Sequence, residues 1–177
     1  ISIGCCAPAP LVELVSLVSQ LYPEMAISSE MKDNQLLLDG LRNNLYQMIV
    51  LPYPVEDPDL LCFVFGEERL FFSLPPAHPL SGAKELSFQD IDGESVLLFS
   101  QIGFWREVCR QKMPLTRTLV QTEQEDFDEL VQASALPCFS SDWAIRQYGK
   151  PQNRIVIPIS DPEGTAVYHF LCRREDR

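Results

Sequence analysis

Two cysteines, Cys5 and Cys6, stand side by side just ahead of Ala7-Pro8, and four more, Cys62, Cys109, Cys138 and Cys172, are spread along a chain of 177 residues. Adjacent cysteines cannot readily bridge each other, and no Cys-x-x-Cys pair is present, so the spacing of a zinc site is absent and no metal is expected. A thiol near a helix start can have its pKa lowered and react. Nucleophilic catalysis also needs a base, and no histidine or aspartate stands close to Cys6 in sequence. Cys6 is therefore read as a small residue lining a pocket. His78 lies between prolines in a loop, and His169 lies inside an apolar strand; both are read as structural. No carboxylate pair, Ser-His-Asp order or phosphate loop stands out, so the expectation is a protein that is not an enzyme and carries no cofactor.

Residues placed to bind are easier to find. In open α/β sheets a ligand sits beyond the carboxyl ends of the strands, at the strand-to-helix loops. Here those loops are 5–10, 31–34, 100–103 and 123–125. Each precedes a helix, whose first backbone N–H groups can hold a carboxylate or another anion. Ser100 and Gln101, polar residues directly after an apolar strand, are the best candidate contacts. Asn34 is either a helix N-cap or a ligand contact, with the cap the commoner role for its type. Cys6, Ala7, Ile102, Pro137 and Cys138 complete the candidate set. Phe104 and Trp105 are candidates to cover an apolar part of a ligand, with core packing the simpler role for at least one of them.

The elements that must position these residues follow from periodicity. Residues 11–22 carry Leu11, Leu14, Val15, Val18, Leu21 and Tyr22 at helical spacing, with Val12 and Leu17 outside that stripe. A helix so apolar on every side is expected to be covered on more than one face. Pro23 ends it. Strands are expected at 25–30, 46–51, 60–64, 69–74, 95–99, 115–121, 137–139, 154–159 and 166–172. Helices are expected at 35–43, with Leu36, Leu37 and Leu41 inward, and at 104–112, 126–135 and 142–147, with a short one at 87–91. The β-α rhythm runs twice, once over about residues 1–65 and again over about 95–150, the pattern of parallel sheets flanked by helices. The segments 69–74 and 154–160 are expected to join the two halves, with the last strand returning to the first.

Charge bounds the partners. Fourteen Lys and Arg face 25 Asp and Glu, a formal net charge of -11. Such a surface repels phosphate, so the chain alone is not expected to bind nucleic acid or an anionic membrane. A local site can still oppose the global sign and take an anionic ligand. No apolar run approaches the ~20 residues of a membrane span, and no signal peptide is visible. Reduced thiols and a cytoplasmic location are expected. Ile1 begins inside what reads as a strand, and a further segment is expected upstream.

One passage is distinctive. Phe65-Gly66-Glu67-Glu68-Arg69-Leu70 leads into 71–74 and then Pro75-Pro76-Ala77-His78-Pro79-Leu80. It resembles the "L-x-E-x-L, apolar strand, P-x-x-H-P-L" passage of LysR-type transcription regulators. Other passages agree in order: the opening strand and apolar helix ending at Tyr22-Pro23, then 37–50, 87–91 and 130–141. Gln47 stands where the family usually has Asp, and Ser134 and Leu136 stand where it usually has glycines. The resemblance implies two Rossmann-like α/β lobes of the periplasmic-binding-protein type II kind, joined by two crossing strands. The first lobe would span 1–72, completed by 158–177, and the second 73–157. It implies an effector in the inter-lobe cleft, and DNA binding only through an N-terminal winged helix-turn-helix that this chain lacks. It also implies antiparallel pairing, in which Val12 and Leu17 of one copy meet the helix carrying Phe127 and Gln132 of the other. The alternative on the same fold is the solute-binding protein of a transporter.

Overall fold

In the computed structural model, which describes residues 1–177, the opening rhythm folds as β1 (Ser2–Cys5), α1 (Pro8–Leu21), β2 (Ser28–Met31), α2 (Asn34–Arg42) and β3 (Met48–Leu51). β1 pairs in parallel with both β2 and β3. β9 (Thr165–Arg173) runs antiparallel on the far side of β3. The core of this unit is made of Ile3, Leu37, Leu41, Ile49, Leu51, Tyr46 and Tyr168, none more than 2% exposed. Gly40, inside α2, lies against the ring of Tyr46, where an added Cβ would come within 2.5 Å of a ring carbon. The Tyr46 hydroxyl donates to Glu30 at 2.6 Å, and burial together with that bond pushes its pKa up to about 12.

α1 begins three residues earlier than its apolar stripe. Proline at the first helical position loses no hydrogen bond, because that N–H has no intrahelical acceptor, so Pro8 and Pro10 fit the first turn. Only one face of α1 is buried, through Ala9, Pro10, Leu14 and Val18. The expectation of a helix covered on several sides is not met within this chain: Val12 is 39% and Leu17 42% exposed. In α2, Leu38 takes the inward place expected of Leu36, which is 56% exposed.

The chain divides into two units. One comprises Ile1–Glu67, Ile102–Phe104 and Val167–Arg177, and the other Glu68–Gln101 and Trp105–Ala166. β4 (Leu60–Leu74) passes from the first to the second as one unbroken strand, where two strands, 60–64 and 69–74, are expected from sequence. The return passage lies within β9, between Ala166 and Val167. The segment expected to make it, around 154–160, instead forms β8 (Ile155–Pro158), which pairs with β4 inside the second unit.

The second unit also holds α3 (Phe88–Ile91), β5 (Ser95–Phe99), α4 (Trp105–Lys112), β6 (Arg117–Gln121), α5 (Gln124–Ala133), β7 (Cys138–Ser141) and α6 (Asp142–Tyr148). β5 and β6 pair in parallel, and β7 pairs antiparallel with β4. Its core gathers Phe72, Phe88, Ile91 and Leu97, with Phe72 edge-on to Phe88. Ser87 caps α3 in a reciprocal box with Asp90. The guanidinium of Arg154 donates to Ser73 Oγ and to the carbonyls of Ser73, Val131 and Leu136, tying the end of α5 to β4. α5 itself buries no side chain. The sequence expectation of an α/β fold of parallel β-α units therefore holds.

Candidate functional site

The loop after β2 carries Asp33 at the N-cap of α2 and Asn34 as its first helical residue. Asp33 makes no side-chain capping bond. Asn34 is therefore not the cap, contrary to the commoner role for its type. Its Oδ1 is shut off from solvent and accepts no hydrogen bond. A buried acceptor left unpaired costs about 1–3 kcal/mol and calls for an explanation.

Ser100, in the second unit, shows the same feature. Its backbone N–H donates to the carbonyl of Gln121, which fixes the turn out of β5. Its hydroxyl is buried and bonded to nothing. The neighbouring Gln101 is exposed. Sequence reasoning places both Asn34 and Ser100 at these positions; their unpaired atoms are visible only in three dimensions.

The loop after β1 behaves differently. Cys6 and Ala7 are fully buried. The Cys6 N–H donates to Val50, and its carbonyl accepts from the Phe104 N–H at 2.9 Å. Gly103, with φ +62, rides directly over that carbonyl: a Cβ there would stand 1.9 Å from the oxygen. Ile102–Phe104 thus covers the 5–10 loop from within the first unit, and the Phe104 ring meets Tyr168 edge-on. Pro8 and Pro10 further remove two donors from the first turn of α1. The anion-binding helix end expected there is reduced.

Trp105 is buried and its indole N–H donates to Glu68 at 3.0 Å, so it packs in the core of the second unit. Pro137 and Cys138 are buried. Burial pushes the Cys138 thiol up, with Arg154 and Ser73 pulling the other way. His78 Nδ1 accepts from the Leu80 N–H, which leaves Nε2 to donate to Glu94 at 2.8 Å. That bonding agrees with a structural role. No group of His, Cys, Asp or Glu is arranged to hold a metal ion.

Comparisons with known proteins agree with this architecture. The family model described as "LysR substrate binding domain" matches residues 1–177. The chain is 26% identical over 84 residues to the HTH-type transcriptional regulator CbbR of Cereibacter sphaeroides, covering 48% of this chain and 27% of that one. It is 25% identical over 125 residues to the transcriptional dual regulator GltC of Bacillus subtilis, covering 68% of this chain and 41% of that one. The chain thus spans less than half the length of the curated regulators it matches. Among solved structures, the reduced OxyR regulatory domain from Pseudomonas aeruginosa superposes with TM-score 0.72 at 18% identity, over 98% of this chain and 88% of that one. The BenM effector-binding domain with its effector benzoate gives 0.68 at 18% identity, over 98% and 83%. At this level of identity the structures speak to the fold alone. With the family model matched from end to end, the chain belongs to the LysR substrate-binding domain family: it is an effector-binding domain of a LysR-type regulator, a non-enzymatic class, and not a transporter's solute receptor.

Proposed function

We propose that this domain senses a small organic anion taken up at its strand-to-helix loops, and that ligand binding there controls DNA binding by an N-terminal winged helix-turn-helix of the full-length regulator. The observation that carries the reading is the pair of polar atoms, Asn34 Oδ1 and Ser100 Oγ, each shut off from water and unbonded at a loop where α/β sheets bind ligands. A hydroxyl or amine donor would satisfy Asn34 Oδ1, and a carboxylate would accept from the Ser100 hydroxyl. Gln101 and Ile102 are the exposed and half-exposed neighbours best placed to add contacts. Cys6, Ala7, Pro137 and Cys138 are buried and shape the loops from beneath. The solved BenM domain holds its effector benzoate, a small anion, which supports the ligand class. A thermal-shift screen of small carboxylates tests the proposal, with calorimetry of each hit on Ser100→Ala and Asn34→Ala. Both variants should weaken binding about tenfold or more. Equal affinity in both would place the ligand elsewhere.

We further infer that copies of this domain pair, through Val12 and Leu17 of α1 on one copy and Phe127 and Gln132 of α5 on the other. The exposed strip Val12, Leu17, Leu21 and Tyr22 on α1 supports this, as does an α5 that buries no side chain of its own. The reading extends to a reducing, cytoplasmic location, which six free thiols suit.

A further inference from the structure

We propose a second small-molecule site, wholly within the second unit, that takes a short-chain anion with an apolar body. A cavity of about 260 Å³ lies beside α4, over β5 and the edge strand β6. Its floor is apolar, made by Val96, Leu98, Met113 and Phe139, with the Cys109 thiol among them. Burial pushes that thiol up to about 12, so it stays protonated and serves as apolar wall rather than as a nucleophile.

The rim is cationic. Arg106 and Arg110 both line the opening. Glu107 pairs with Arg110, whereas Arg106 enters no ion pair. The local charge is the reverse of the global one. Between Trp105 and Thr118 the sequence has four basic side chains and one acidic, in a chain of net charge -11. A patch that opposes the charge of its own protein, placed at the mouth of an apolar hollow, matches a carboxylate head followed by a hydrocarbon or aromatic body. The volume limits that body to about the size of one ring or a short chain; dry cavities of ~150 Å³ already take benzene.

The probe is hexanoate, with 1-hexanol as its neutral counterpart, titrated into the ¹⁵N-labelled chain. Hexanoate should perturb the amides of Val96, Cys109 and Thr118, and 1-hexanol should do so at least tenfold more weakly. Thr118 is exposed at the lining, so Thr118→Trp should close the cavity without disturbing the core and abolish the perturbation. Arg106→Gln should weaken hexanoate about tenfold, the value of a charge-assisted bond, and leave 1-hexanol unchanged. Shifts confined to the cavity amides, with those of Asn34 and Ser100 still, separate this site from the proposed effector loops. The site is overturned if millimolar hexanoate leaves those amides still, if Thr118→Trp binds as the parent does, or if the shifts centre on Asn34 and Ser100.

Discussion

An unpaired hydroxyl in a protein interior is a liability until something binds to it. For Ser100 the balance can be tested without any ligand. Removing a buried hydroxyl that makes no bond also removes its desolvation penalty, so Ser100→Ala should leave thermal stability unchanged or raise it, by up to about 1 kcal/mol. A clear loss of stability, read from chemical denaturation, would mean that the hydroxyl is satisfied in the free protein. Gly40 presents the opposite balance. Alanine in a helix interior is favoured over glycine by about 1 kcal/mol. Here the new methyl would press on the Tyr46 ring, which is 2% exposed and anchored to Glu30, and overpacking of that kind costs about 1–3 kcal/mol. Gly40→Ala should therefore destabilise the chain despite its better helix propensity, and a melting temperature at or above the parent's would refute the packing described. Neither effect is legible in sequence. Asn34 and Ser100 can be picked out by type and place, but whether a polar atom finds a partner depends on neighbours brought in from other segments.

Among the elements, α1 and the 102–104 segment carry the strongest expectations. Gly103 has a positive φ that costs alanine about 1 kcal/mol, and the added Cβ would overlap the Cys6 carbonyl. Gly103→Ala should lift this segment and expose Cys6, which iodoacetamide would then alkylate faster than in the parent. Equal protection in both would show that the 5–10 loop is covered by something else. On α1, Val12→Asp and Leu17→Asp place a charge on an exposed strip. On the proposed pairing, the parent should sediment as a dimer, and both variants as monomers that keep a native far-UV circular dichroism spectrum. A parent that is monomeric at high micromolar concentration would count against pairing, and variants that unfold would show the strip to be buried. Most elements were readable: β5 lies where its apolar run predicts, and α3 follows its Ser87 cap. The misses have physical causes. Residues 65–68 stand between the two expected strands 60–64 and 69–74, yet β4 runs straight through them, with Glu68 turned inward to accept from the Trp105 indole. Pro8 and Pro10 look like loop residues, yet proline suits a first helical turn.

At the scale of the whole chain, the β-α rhythm and the His-Pro-Leu passage are enough to anticipate a LysR-type α/β domain. They do not specify the passage between units, because β8 and β9 are both apolar strands and only pairing tells that β8 stays in the second unit while β9 crosses. The net charge of -11 fits a domain whose effector is a small molecule, because such a surface repels the phosphates of nucleic acid. The central proposal is that a small anion is taken up at a strand-to-helix loop, with those carrying Asn34 and Ser100 the candidates. Amide chemical-shift mapping with a carboxylate that raises the melting temperature tests it most directly. The largest shifts should fall at residues 33–36 or 100–102, and Ser100→Ala should weaken those at 100–102 at equal ligand concentration; saturable shifts that leave both segments still would contradict the proposal.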